Sequence, residues 1–189
     1  MTDLFVLYED SRGANGKFGP HVFFLGCVAD ITGTPIDNLK QVIRDRPVNG
    51  ASKLLSHLRD TDDLDLIAPN GEPILAILDD DHVRDHHPAT KGMNASKAAA
   101  KIKADSSAPH RVTVVLLERN LESVVKAFQQ CGESATDLIA EALEKRLNAR
   151  DRLFDSVGRD PSKRQVRDCV RKTMPCVEQI VQAMRAAVA

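Results

Sequence analysis

The chain alternates short apolar runs with polar, helix-forming stretches. Three runs stand out: residues 4–8 (LFVLY), 74–78 (ILAIL) and 112–117 (VTVVLL). Each is compact, rich in branched aliphatic side chains and free of charge, which is how strands buried on both faces read. Between the first two, residues 21–31 are apolar enough for a buried helix ending near Gly33, and a short element falls at 41–48. Asn49 and Gly50 open a helix over 51–59, where Leu54, Leu55 and Leu58 share a face. Residues 61–73 read as an acidic, turn-rich connection. Residues 82–92 carry His82, His86 and His87 with no apolar pattern and read as a loop. Residues 94–104 (NASKAAAKIKA) are strongly helical, and another helix runs from after the third strand to about residue 130.

The rest of the chain is helical. Over 134–151, Leu138, Ile139, Ala142, Leu143 and Leu147 gather on one side, with Ser134 or Thr136 as the cap. Residues 161–188 form a longer helical segment that Pro175 should kink or split, and 151–161 is the linker candidate between the two. Strands alternating with helices predict an α/β fold with a mostly parallel central sheet, helices on both faces and a helical C-terminal elaboration. The expected division is an α/β domain over 1–132 and a helical extension over 133–189 packed on it.

In such sheets ligands sit beyond the carboxyl ends of the strands, and this is where the acidic residues fall. Glu9 follows the first run, Asp79, Asp80 and Asp81 follow the second, and Glu118 and Glu122 follow the third. If the strands are parallel neighbours, the three groups converge on one edge. Side chains two apart on an extended strand share a side, so Asp79 and Asp81 are expected to face one ligand while Asp80 turns away. Adjacent carboxylates repel unless water or a cation neutralises them. Carboxylate oxygens are the donors that Mg²⁺ and Mn²⁺ prefer. His82 is the histidine best placed to join them, although the spacing of His82, His86 and His87 fits no strong zinc motif.

Composition narrows the partners. The 189 residues are 42% hydrophobic and 28% charged with a net charge of −1, so nucleic-acid binding would need a local basic patch. Lys97 and Lys101 lie four apart on one helical face, and Arg164, Arg167 and Arg171 belong to a denser basic group; both are candidate contacts for a phosphate backbone. No apolar stretch is long enough to span a membrane and the start does not resemble a secretory leader, so a cytoplasmic protein is expected. Cys27, Cys131, Cys169 and Cys176 are far apart and form no CxxC pair, so free thiols in a reducing compartment are expected. The string GANGKFG, with Gly13, Gly16 and Gly19, matches neither phosphate-loop pattern and reads as a flexible segment that would cover the acids.

The pieces LFVLYED and ILAILDDD resemble the TOPRIM fold of topoisomerases, primases and OLD-type nucleases, in which a strand ends in Glu and a later strand ends in Asp-x-Asp. VTVVLLERNLES resembles the strand-then-Glu segment of OLD-type nucleases and small bacterial TOPRIM-like proteins. The likeness spans about residues 3–130. It implies a TOPRIM-like Rossmannoid domain and metal-dependent cleavage of nucleic acid, DNA before RNA, with Mg²⁺ or Mn²⁺. Glu9 would be a metal ligand or general acid/base, Asp79 and Asp81 metal ligands, and Glu122, or else Glu118, a further ligand. Small proteins of this kind resemble components of bacterial defence and mobile-element systems that work beside an ATPase. In this sequence Asp10 follows Glu9 where the TOPRIM glutamate is often followed by glycine. Two other readings stand beside it. A non-catalytic regulatory subunit would dock a partner through the helical tail. A haloacid-dehalogenase-type phosphatase would use Asp79 of the string DDDHV as nucleophile, but that motif normally follows a first strand.

Overall fold

The computed structural model describes residues 3–10, 18–118, 120–144 and 146–188. Its centre is a parallel sheet of β1 (Leu4–Tyr8), β2 (Ile43–Pro47), β3 (Ile74–Asp79) and β4 (Val112–Leu117). The strands lie in the order β2-β1-β3-β4. The chain leaves β1 for β2 on one side and returns to β3 on the other, so the winding direction reverses between β1 and β3. Crossovers between parallel strands are right-handed, and the reversal therefore sends the helices that follow β1 to one face and those that follow β2 and β3 to the other. The result is the α/β sheet covered on both faces that the patterning predicts.

One face is covered by α1 (Gly19–Thr32), the short α2 (Ile36–Val42), α7 (Leu121–Gln130), α9 (Leu147–Arg159), α10 (Arg164–Thr173) and α11 (Pro175–Ala186), with α8 (Thr136–Leu143) against them. Phe23, Phe128 and Phe154 meet there edge to face, with ring centroids 4.9–5.7 Å apart. Side chains of α9, α10 and α11 share one apolar cluster with β1, β3 and β4. The segment 133–189 thus completes the cover over the sheet. The opposite face carries α3 (Ala51–Arg59), α4 (Thr61–Ile67), α5 (Asp80–His86) and α6 (Ala95–Ala104), whose Leu54, Leu58, Leu64, Val83 and Ile102 enclose a second cluster. No described helix is long and apolar enough to cross a membrane.

Several expectations need correction. The short element expected at 41–48 is present as the edge strand β2, whose sequence, IRDRP, buries only Ile43 well and so carries no apolar run. It is held by its register with β1, from Leu4 against Ile43 to Tyr8 against Pro47. Residues 61–67 form helix α4 because the Asp60 side chain accepts from the N–H groups of Asp62 and Asp63, an N-cap within what reads as a turn. Residues 80–86 form helix α5 and 88–90 a turn of 3₁₀ helix, where a loop was expected. The span 134–151 is two helices, and the expected linker 151–161 is mostly the buried second half of α9. Pro175 does split the tail, standing at the first turn of α11 where its missing N–H costs nothing.

The cysteine expectation also fails in part. Cys131, just past α7, and Cys169 on α10 are joined by a disulfide across 38 residues, with Cα atoms 5.7 Å apart. Cys27 and Cys176 are free and buried. The bonded pair has no sequence signature because only the docking of α10 on α7 brings the two together.

Candidate metal centre

Strand β1 ends at Tyr8, whose register partner on β3 is Ile77. Glu9 continues β1, its N–H donating to the Ile77 carbonyl at 3.2 Å. That extension delivers the Glu9 side chain to the last residue of β3. Glu9 Oε2 accepts from the Asp79 backbone N–H at 2.8 Å, and Glu9 Oε1 is bonded to His82 Nδ1 on α5. The β2–α3 turn closes the third side. The Gly50 N–H donates to the Glu9 carbonyl at 2.6 Å, and this tight turn holds Asn49 at φ 65° and Gly50 at φ 116°, the left-handed region that favours glycine. A cavity of about 340 Å³ opens here, lined by Glu9, Asp10, Asn49, Asp79, His82 and His86 among others. It sits at the carboxyl edge between β1 and β3, where the winding reverses and where sheets of this type bind ligands.

Ligand atoms of Glu9, Asp79 and His82 all lie within 4.8 Å of one another. Both carboxylates are buried, each 6% exposed. Burial is the main cause that pushes the Asp79 carboxyl up to about 9, reinforced by the charges of Asp10, Glu9, Asp81 and Glu122. Glu9 is also raised by burial, against the opposing hydrogen bonds from the Asp79 N–H and His82. The hydrogen bond to Glu9 raises His82. Two buried carboxyls and an imidazole within reach of one point form a donor set that suits a divalent cation.

Linkage turns these shifts into a prediction with one sign. Asp79, Glu9 and His82 all bind protons more tightly folded than unfolded, so their stabilisation is full at low pH and is lost as pH rises through the folded values. For Asp79 the window runs from the ordinary 3.8 to about 9. Without divalent ions, the thermal midpoint should fall as pH is raised across that window, and saturating Mn²⁺ at pH 8 should recover it. Thermal scans at several pH values with a chelator check this. A midpoint rising steadily over the same range would contradict the site's electrostatics.

The other predicted acids separate. The extended backbone stops at Asp79 and α5 begins at Asp80, so the strand alternation that would pair Asp79 with Asp81 does not continue. Asp81 is exposed on the first turn of α5, its Oδ1 accepting from the His82 N–H at 2.9 Å. It influences Asp79 through its charge, and His82 supplies the third ligand atom instead. Asp80 is neutralised by Arg84, with Nη2 2.7 Å from Oδ1. Glu122, in the first turn of α7, is half-buried and among the charges that raise Asp79. Glu118 instead lines a second cavity of about 450 Å³ with Asp80, Asn94, Ser96 and Gln179. That cavity is larger, but among the described residues it brings no comparable group of ligand atoms together.

Asp10 is paired with Arg150 of α9, Nη1 to Oδ1 at 2.8 Å. Sequence reasoning missed Arg150, because nothing local marks a single arginine in an amphipathic helix. Of the basic residues proposed to contact nucleic acid, Lys97 is exposed, while Lys101 is paired with Asp105. Arg164 is exposed and reaches the Asp30 carbonyl. Arg167 requires correction: it is 3% exposed, clamps Asp30 with Nε and Nη2 at 2.7 and 2.9 Å, and donates Nη1 to the carbonyls of Val157 and Asp160. Arg171 is paired with Glu178 at 2.8 Å. Most of the glycine-rich segment, residues 11–17, lies outside the described residues, and Gly19 opens α1. No family model, curated protein or solved structure matches the chain.

Proposed function

We propose that this protein is a divalent-metal-dependent hydrolase of nucleic-acid phosphodiesters, TOPRIM-like in the way its sequence suggests. The observation that carries the reading is the meeting of Glu9, Asp79 and His82 at the β1/β3 switch point, from strand ends 70 residues apart in sequence. An ion held there would neutralise phosphate charge and lower the pKa of water, which are the two demands of phosphodiester hydrolysis. Two carboxylates with one imidazole suit Mn²⁺ better than Mg²⁺, which keeps almost wholly to oxygen donors. Asp79 would supply a carboxylate ligand at the strand end once a cation replaces the proton that its burial favours. Glu9, oriented by the Asp79 N–H, turns its other oxygen toward His82 and is the group placed to accept a proton from water. His82, largely exposed on α5, would hold the ion from the open side of the cavity while Glu9 fixes its ring. Asp81 and Glu122 add negative potential that favours a cation in the cavity.

One observation favours a second reading. Arg167, Arg171 and Lys101 are engaged within the chain, which leaves Lys97 and Arg164 as the exposed members of the predicted basic set. A thin basic surface suits a component that relies on a partner, such as an ATPase, to hold its substrate. The test is cleavage of plasmid, linear DNA and RNA with Mn²⁺ or Mg²⁺, run beside Mn²⁺ titration calorimetry. Metal-dependent cleavage supports the hydrolase. Mn²⁺ binding without cleavage shifts the reading to the partner-dependent component, and absence of Mn²⁺ binding by folded protein overturns both.

A further inference from the structure

Arg150 and Arg167 stand in similar surroundings and are used differently. Both are buried, at 4% and 3% exposure, on helices packed against α1. Arg167 closes the Nε/Nη2 edge of its guanidinium on both oxygens of Asp30, the bidentate fork that carboxylates and phosphates fit best. Arg150 spends Nη1 on a single oxygen of Asp10. Its Nε and Nη2 are buried and have no hydrogen-bond partner among the described residues. Buried donors are almost always satisfied, so an empty fork on a buried cation points to an acceptor that arrives from outside. Residues 11–17 (SRGANGK), which follow Asp10, contain no acidic side chain to complete it.

The location says what the acceptor is. Asp10 lines the cavity of Glu9, Asp79 and His82, and Arg150 stands behind it, paired to that acid with a permanent positive charge. A metal bound to the acids would draw an anion into the same space. We infer that Arg150 is an oxyanion-binding residue, its Nε/Nη2 fork taking two oxygens of a phosphate group while Nη1 keeps Asp10. This inference rests on reading the cavity as a phosphodiester site, and it names the residue that grips the substrate's phosphate there.

The test uses the full chain and inorganic phosphate with Mg²⁺ present, following the Arg150 Nε–Hε resonance, assigned by its loss in Arg150→Lys. Phosphate should move that resonance saturably. Arg150→Gln should weaken phosphate binding about tenfold or more, as loss of a charge-assisted pair does, while Mn²⁺ affinity measured separately changes less than about twofold. Unchanged phosphate affinity in a folded Arg150→Gln protein that still binds Mn²⁺ overturns the inference and leaves the metal centre standing. Loss of Mn²⁺ binding in wild type would instead remove the centre, and the resonance still decides whether Arg150 meets phosphate. If Arg150→Gln does not fold, a wild-type resonance indifferent to phosphate overturns the inference. Acetate moving the signal as strongly as phosphate would assign the fork to carboxylates and overturn it too.

Discussion

Asp79→Asn is expected to abolish metal-dependent cleavage while making the metal-free protein more stable at pH 8. The substitution keeps the shape at the end of β3, so the packing around it is undisturbed. It removes a ligand charge, and Mn²⁺ affinity should fall by about 100-fold or more, as for loss of a direct carboxylate ligand among three. Cleavage should fall by about 1,000-fold or more, since both the ion and its effect on water are lost together. The stability gain follows from the same burial. At pH 8 the wild-type carboxyl must either keep a proton or ionise beside Glu9, Asp10, Asp81 and Glu122, whereas an amide carries no charge to desolvate. Active sites commonly trade stability for function in this way. Asp81→Asn, on an exposed turn outside the ligand group, should cost less than about tenfold in cleavage, the scale of a long-range charge effect. Cleavage by Asp79→Asn at wild-type rate would remove the centre from consideration, and so would equal losses at Asp79 and Asp81 without loss of metal.

What the sequence reveals about this site depends on the range of the interaction. LFVLY, ILAIL and VTVVLL announce their strands because burial on both faces demands unbroken apolar runs, and the acids that follow them mark the functional edge. Glu9 and Asp79 are therefore readable as a pair once parallel pairing is assumed. His82 is readable as the histidine best placed to join them, but its taking the place expected of Asp81 is not, because that depends on where the strand stops. One more extended residue would have turned Asp81 inward, but α5 starts at Asp80 and Arg84 answers Asp80 from the next turn of the helix. Edge strand β2 hides because only one of its faces is buried. The Cys131–Cys169 bond, the Arg167 clamp and the pairing of Arg150 with Asp10 join residues 38, 137 and 140 positions apart. No local pattern encodes such contacts; they follow from helix docking.

That docking is itself specified by three glycines, and Gly26→Ala should be among the most damaging small substitutions in the chain. Helices α1 and α9 cross so closely that their backbones touch. A Cβ on Gly26 would lie 2.3 Å from the Gly158 carbonyl oxygen, one on Gly158 would lie 2.6 Å from that of Val22, and one on Gly19 would lie 2.2 Å from that of Asp151. Each obstacle is main chain, so no rotamer change relieves it and the helices must separate. Separation loosens the contacts of Phe154 with Phe23 and Phe128 and the approach of the Asp151 carboxylate, which accepts from the Gly19 N–H at 3.3 Å. Alanine within a helix normally gains up to ~1 kcal/mol over glycine, but overpacking of this kind costs roughly 1–3 kcal/mol and more where backbone must move. A net loss of about 2–4 kcal/mol corresponds to a fall in thermal midpoint of roughly 5–15 °C for a chain of this size. Gly33→Ala is the control. It meets nothing within 4 Å and carries only the strain of φ 72°, about 1–2 kcal/mol. Because Arg150 rides on α9, Gly158→Ala should also displace it from Asp10, so the phosphate response of the Arg150 Nε–Hε resonance should weaken with stability. A Gly26→Ala protein as stable as wild type would mean that the two helices do not cross at these glycines, and the placement of Arg150 beside the candidate metal centre would fall with it.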